Sequence, residues 1–402
     1  MWKLALRNVF RHKARTILTL AAISSGVISL VISGGFIEDF FIQLREATIH
    51  SQFGHVQLYR NGYYQMGTRS PYHYMINDPD ELIARLRTVE HVADISPRVQ
   101  FSGLLSNGRF TTPIVGEGVA PQSEIKLSTY ITITAGKNLG PEMRYAAILG
   151  QDLAESLKLK AGDNATLLVT TREGALNSLD FEVVGIFQTF SKEYDERALR
   201  IPLVAAQELI NSQAVHSLVF VLDETAYTNE VAHRLAAVLP RDQFEIKTWY
   251  ELADFYQKAI DLYRRYFLVL RLIILGMVLL AVVNSVNITI YERSGEFGTL
   301  RALGNRSKQI LHLILMENLI VGLIGSGIGI VAGILLALSI SAIGISMPPM
   351  PNTNIGYIAA VRLMPSEIGI SFLVGLLATC LATFLPAWRA SHMVVVDALA
   401  RN

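Results

Sequence analysis

YERSGEFGTLRALGNRSKQI, residues 291–310, sets two glutamates, three arginines and a lysine between two of the most apolar stretches of the chain. Its meaning depends on those flanks. Leu272–Tyr291 is 20 residues without a charge and Leu319–Met347 is 29; elsewhere Thr16–Ile37 is 22 and Ile368–Trp388 is 21. Each reaches the roughly 18–20 apolar residues that cross a hydrocarbon core about 30 Å thick. One such run is compatible with a buried soluble helix. Four in a chain of 402 residues, 51% hydrophobic and only 17% charged, point to a membrane. The sequence predicts an α-helical integral membrane protein with four transmembrane helices and a large α+β extracytoplasmic domain inserted between helices 1 and 2.

The expected order is a basic tail (1–15), helix 1 (16–37), an outer domain with helical stalks at both ends (38–265) and helix 2 (266–291). A cytoplasmic helix and loop (292–313), helix 3 (314–347), a short outer loop (348–367), helix 4 (368–388) and a tail (389–402) follow. Lys3, Arg7, Arg11, Lys13 and Arg15 resemble the start of a signal peptide. The apolar run behind them exceeds the roughly 7–15 residues of a cleaved signal, so an uncleaved anchor is expected. Basic residues set the orientation. The two tails and 291–310 carry 11 basic residues and three acids, whereas 38–265 carries 22 and 29. Both termini and 291–310 are predicted to be cytoplasmic, in the inner membrane of a bacterium.

The 38–265 block holds no cysteine, so packing alone must stabilise it; Cys380 lies in helix 4. Short helices are expected at Asp80–Thr88, Gly150–Leu159, Ala205–Ser212 and Asn229–Leu239, with strands between them. Asn107-Gly108 predicts a type I′ hairpin. From Trp249 to Tyr291 no Gly-Pro break precedes the membrane run, and Leu252, Phe255, Tyr256, Ala259, Tyr263 and Tyr266 form an apolar stripe. One continuous helix is expected there, about 64 Å long at 1.5 Å per residue. Phe36, Phe40, Leu44 and Thr48 offer a matching stripe, and together the two read as a lever.

No catalytic chemistry is legible. The only Gly-Lys pair, Gly136-Lys137, lacks the rest of a phosphate-binding loop, and neither H-E-x-x-H nor G-x-S-x-G occurs. No catalytic, cofactor or metal residue is assigned, and nucleic-acid binding is not expected at a net charge of +1. Inside the spans, Gly325, Gly329 and Gly333 bare one face of helix 3, allowing close helix approach within the subunit or across a dimer. Asn284 and Asn287 are candidates for hydrogen bonds between helices. Glu317 is the membrane-embedded acid; snorkelling is the expectation for it, with a specific ion pair as the alternative. In the opening stretch, Glu292–Leu303 reads as a short amphipathic helix with Phe297, Leu300 and Leu303 on one side and a C-cap at Gly304-Asn305.

These residues resemble the FtsX-like ABC transporter permease family, which includes lipoprotein-releasing and macrolide-exporting permeases. The resemblance lies in Glu292-Arg293-Ser-Gly-Glu296-Phe297-Gly298-Thr-Leu300-Arg301-Ala-Leu-Gly304, in Glu317 and the glycines after it, and in Pro386-Ala-Trp-Arg-Ala390. It extends to Asp397-Ala-Leu399, where Val395 replaces a usual proline, and to Gly150–Asp163 and Phe181–Phe187 in the outer domain. It implies a dimerising permease subunit, paired with an identical or related chain, that docks a cytoplasmic ATPase dimer. The docking residues would be Glu292, Arg293, Glu296, Phe297, Gly298, Leu300, Arg301 and Gly304. ATP and magnesium would be bound by that partner and none by this chain. The implied work is extraction or export of a lipoprotein or other hydrophobic cargo. An alternative is a signal transmitter whose outer domain activates a periplasmic partner such as a cell-wall hydrolase.

Overall fold

The structure, a computed structural model, describes residues 2–11, 13–67, 69–348 and 356–392. Among them, four helices are long and apolar enough to cross a membrane: Thr16–Phe53, Tyr256–Glu292, Ser307–Ile343 and Pro365–Ser391. Most of their length lies in one compact unit, residues 1–42, 260–346 and 358–402; residues 43–259, with 347–357, form a second, sheet-rich unit.

The glycine row of the third long helix packs inside the subunit. A Cβ added at Gly325 would lie 3.1 Å from Ile23, at Gly329 2.7 Å from Val27, and at Gly333 3.2 Å from Val31. The first long helix therefore lies directly against this bare face, and Ser24 Oγ donates to Gly325 O at 2.8 Å across the seam. Gly329→Leu is expected to destabilise this unit by about 1–3 kcal/mol or more through overpacking. Gly327→Leu on the same helix, where a Cβ meets nothing within 4 Å, serves as the control. Equal thermal unfolding of the two variants in detergent would refute the seam.

Among the described residues, Asn284 and Asn287 do not make the expected interhelical bonds. Both side chains are exposed, and the hydroxyls of Thr19 and Ser285 join the first and second long helices instead. At the far end of this unit from residues 291–310, Arg271 pairs with Glu367 at 2.6 Å and Arg362 with Asp39 at 2.8 Å.

The expected single helix from Trp249 is broken. Trp249–Leu252 and Asp254–Glu292 are separate helices, with Ala253 at φ −93°, ψ 64° between them. Local and distant groups together hold the first of them. Trp249 N–H donates to His55 O at 3.0 Å, its ring packs edge-on against Tyr256 at 4.9 Å, and a capping box of Thr248 and Glu251 starts a new first turn. Along the two stripes, Phe40 meets Tyr263 edge-on at 5.1 Å, while Leu44 and Tyr256 are buried and Tyr266 is 60% exposed. Phe255's side chain lies outside the described residues.

The second unit is a ten-stranded mixed sheet. Its strands are β1 (Val56–Arg60), β2 (Val92–Ser106), β3 (Thr111–Val119), β4 (Thr132–Gly136) and β5 (Ala146–Gly150). The rest are β6 (Asn164–Thr170), β7 (Leu176–Gln188), β8 (Ala198–Pro202), β9 (Ser217–Leu222) and β10 (Phe244–Thr248). They run in the order β10-β1-β9-β2-β3-β8-β5-β7-β4, with β6 bridging β2 and β7. The pairs β3·β8 and β5·β7 are parallel. β7 alternates open and buried positions over Asp180–Val183, β2 is largely covered on both faces over Ile95–Phe101, and Leu58, Val99, Leu149, Phe181, Leu199 and Phe220 build the core beneath the sheet. The β2–β3 turn is not type I′. Ser106 pairs with Thr111, leaving four residues in the loop. Asn107 Oδ1 accepts from Arg109 and Phe110 N–H at 2.8 and 2.7 Å, closing the turn through a side chain. The helix from Gln151 stops at Leu157, earlier than expected, because Lys158 takes a left-handed conformation.

Candidate functional site

The stretch 291–310 is a helix hung between two long ones. The second long helix ends at Glu292, Arg293 leaves helical geometry at φ −100°, ψ 13°, and Ser294–Ala302 forms the short helix. Gly304, at φ +92°, turns the chain where a side chain would be strained. Asn305 N–H and its side-chain amide both donate to Leu300 O, satisfying an orphan carbonyl at the helix end.

A buried ionic knot holds this helix. Arg293, 5% exposed, donates from Nη1 to Glu317 Oε2 at 2.6 Å, from Nη2 to Glu317 Oε1 at 3.3 Å and from Nε to Glu296 Oε2 at 2.9 Å. Asn8 Nδ2 donates to Glu317 Oε1 at 2.6 Å, and Arg11 reaches Glu296 at 3.3 Å. A two-pronged guanidinium–carboxylate pair of this kind fixes direction as well as distance. Glu317 is therefore paired; the snorkelling expected of it is replaced by an ion pair, because the helix 294–302 folds back over it and shuts out water. The same fold-back buries Phe297 to 3% exposure under the Arg293 guanidinium, 5.1 Å from its ring centroid. Phe297 packs into its own subunit, and Gly298 is buried with it. Of the residues expected to dock, Glu292, Glu296 and Gly304 are exposed, as is the neighbouring Leu303 at 77%, with Leu300 and Arg301 half-buried. Asp397 and Leu399 lie outside the described residues.

The sheet-rich unit contains a second ionic cluster that the sequence did not reveal. Arg98 on β2 and Arg200 on β8 are 1% and 2% exposed, and each contacts both Glu117 on β3 and Glu124, at 3.0–3.4 Å. The remaining prongs cap a helix end. Arg98 Nη1 donates to Gln52 O at 2.7 Å and Arg200 Nη2 to Ser51 O at 2.8 Å. These carbonyls belong to the π-helical turn Ile49–Phe53 that ends the first long helix, where cations are favoured by unpaired C=O groups. Tyr194 O–H donates to Glu117 at 3.1 Å, and Ser128 O–H to Glu124 at 2.6 Å. Burial alone would push the Glu124 carboxyl up, but Arg98 and Arg200 outweigh it and hold it below its ordinary range. Burial would likewise depress Arg200, and Tyr194, Glu117 and Glu124 raise it instead. Among the described residues no cluster of His, Cys, Asp or Glu is arranged to hold a metal.

Two family models cover nearly the whole chain: the MacB-like periplasmic core domain matches residues 16–238 and the FtsX-like permease C-terminal matches residues 268–395. The chain belongs to the FtsX-like permease family. Its relatives are ABC transporter permeases. It is 24% identical to the lipoprotein-releasing system transmembrane protein LolE of Haemophilus influenzae, over 79% of this chain and 80% of that protein. It is 23% identical to the corresponding protein LolC of Xylella fastidiosa, over 81% of each. A third relative, the macrolide export ATP-binding/permease protein MacB of Nitrobacter winogradskyi, is 24% identical over 65% of this chain but 39% of its own length. FtsX-like proteins of the LolC and LolE kind are permease subunits, which accords with the lack of a catalytic motif in this sequence. In this FtsX-like permease the knot at Glu317 lies between the two helices that flank the matched family's 291–310 stretch.

Proposed function

We propose that this chain is the membrane subunit of an ABC transporter whose separate ATPase docks on residues 292–304. ATP hydrolysis there would drive release or export of a lipoprotein or another hydrophobic cargo on the far side of the membrane. The observation that carries the reading is the rigid display of 294–302. Arg293 and Phe297 anchor the helix to its own subunit, leaving Glu296, Leu300, Arg301 and Leu303 as the surface a partner would meet. Arg301 and Glu296 would steer and orient that partner, and Leu303 would fill an apolar slot in it. The basic excess at this end and at the N-terminal tail supports a cytoplasmic docking surface. The long helices would carry the resulting displacement to the sheet-rich unit.

Leu303→Ala is the direct test. Burial of an exposed leucine on docking contributes about 1.5–3 kcal/mol, so the variant should bind the ATPase roughly 10- to 100-fold more weakly. The permease itself should fold normally. Phe297→Ala should instead lower the yield of folded permease, because that ring belongs to its own core. Titrating purified ATPase against both variants in detergent separates the two effects. Undiminished ATPase affinity in Leu303→Ala would remove Leu303 from the docking surface.

A further inference from the structure

At the end of the long helices remote from residues 291–310, a cavity of about 330 Å³ is edged by Glu38, Arg264, Arg271 and Glu367. Phe41 and Phe267 contribute to its apolar walls. The volume is at the low end of the roughly 300–1,000 Å³ typical of small-ligand sites. Its depth is fixed by the sequence. Ile37 closes the first uncharged run, Arg271 directly precedes the second and Glu367 directly precedes the fourth. The cavity therefore sits where hydrocarbon gives way to headgroups.

Its charges are unevenly satisfied. Arg271 and Glu367 form a closed pair at 2.6 Å. Arg264 and Glu38 line the same cavity, yet among the described residues neither has an ion-pair or hydrogen-bond partner. One open cation and one open anion, beside apolar walls at interfacial depth, match a ligand with both charges and a lipid tail. Arginine recognises a phosphate through paired N–H donors. A carboxylate accepts from a primary ammonium, which has three N–H donors, whereas a quaternary ammonium has none. A purely anionic headgroup would bring its charge against Glu38.

We propose that this cavity binds the headgroup of an aminophospholipid, phosphate on Arg264 and primary amine on Glu38, with the acyl chains leaving past Phe41 and Phe267. The cavity lies at the opposite end of the long helices from residues 291–310, and the proposal does not depend on the identity of the cargo.

The test uses the full chain in bilayer nanodiscs of phosphatidylethanolamine, phosphatidylcholine and phosphatidylglycerol with matched acyl chains, followed by native mass spectrometry of retained lipid. One ethanolamine lipid should be retained with about tenfold preference over the other two, the effect expected of one charge-assisted hydrogen bond. Glu38→Gln should erase the preference over choline lipid, and Arg264→Gln should reduce retention of all three. Both residues are unpaired, so the variants should fold, which elution of the detergent-purified chains verifies. Arg265→Gln, an adjacent arginine outside the cavity, should change nothing. Equal retention of the three lipids would overturn the proposal. So would an Arg265→Gln effect equal to that of Arg264→Gln, which would reduce the finding to general interfacial charge. Displacement of the lipid by millimolar inorganic phosphate would also overturn it.

Discussion

Arg200→Ala should cost the sheet-rich unit about 3–5 kcal/mol, because removing one member of a buried ionic set strands the others. Glu117 and Glu124 would then share Arg98 alone, two carboxylates against one guanidinium, all of them under 10% exposed. The carbonyl of Ser51 would also lose the guanidinium that donates to it. Against a typical domain stability of about 5–15 kcal/mol, that is a third or more of the total. The paired replacement Arg200→Leu with Glu117→Leu should recover most of the loss. It leaves Arg98 and Glu124 as a neutral pair at 3.0 Å, and apolar replacement of a buried pair is often neutral. Hydrogen exchange of β2, β3 and β8 in the full-length protein would measure both. If the single variant exchanges as slowly as the parent, the cluster contributes little and water reaches it.

Glu317→Ala should produce the second large effect, at the other unit's ionic knot. Without that carboxylate, Arg293 keeps only Glu296, whose side chain is 42% exposed, and Asn8 loses its acceptor. A buried guanidinium deprived of its main partner costs several kcal/mol. The least costly escape is for the 294–302 helix to lift and let Arg293 reach water. Phe297 would leave its pocket with it. Protease cleavage within 292–310 should therefore rise by orders of magnitude while the long helices stay intact, and ATPase binding should fall with it. Glu317→Gln should be milder, since the amide oxygen still accepts from Asn8 and Arg293. If Glu317→Ala shows parental protease resistance in this segment, the knot does not hold the helix.

Much of this protein was open to a linear reading. Four uncharged runs long enough to span a bilayer are a property of composition, and the segment 291–310 announces itself because charge is costly anywhere near them. The turn at Gly304 follows from local backbone preference, whereas the break at Arg293, inside the expected helix Glu292–Leu303, does not. Local patterning failed where distant groups intervene. Nothing near Ala253 marks a helix break; it accompanies the contacts of Trp249 with His55, distant in sequence, and with Tyr256, seven residues on. Asn107-Gly108 carried the signal for a tight hairpin, and the side chain of Asn107 competed successfully with it.

The limits are clearest at the charged residues. Sequence alone determined that Glu317 sits at the edge of an apolar span and that Arg293 lies beside another, because both facts are counted along the chain. Only the tertiary structure decided that they meet, since 24 residues separate them and Asn8 joins from 309 away. The same holds for Arg98, Glu117, Glu124 and Arg200, which read as ordinary exposed charges on strands and a short helix. A period-two pattern says which face a strand residue takes, but not whether that face is covered. Burial of a charge is paid for by partners, and partners are brought together by topology rather than by spacing.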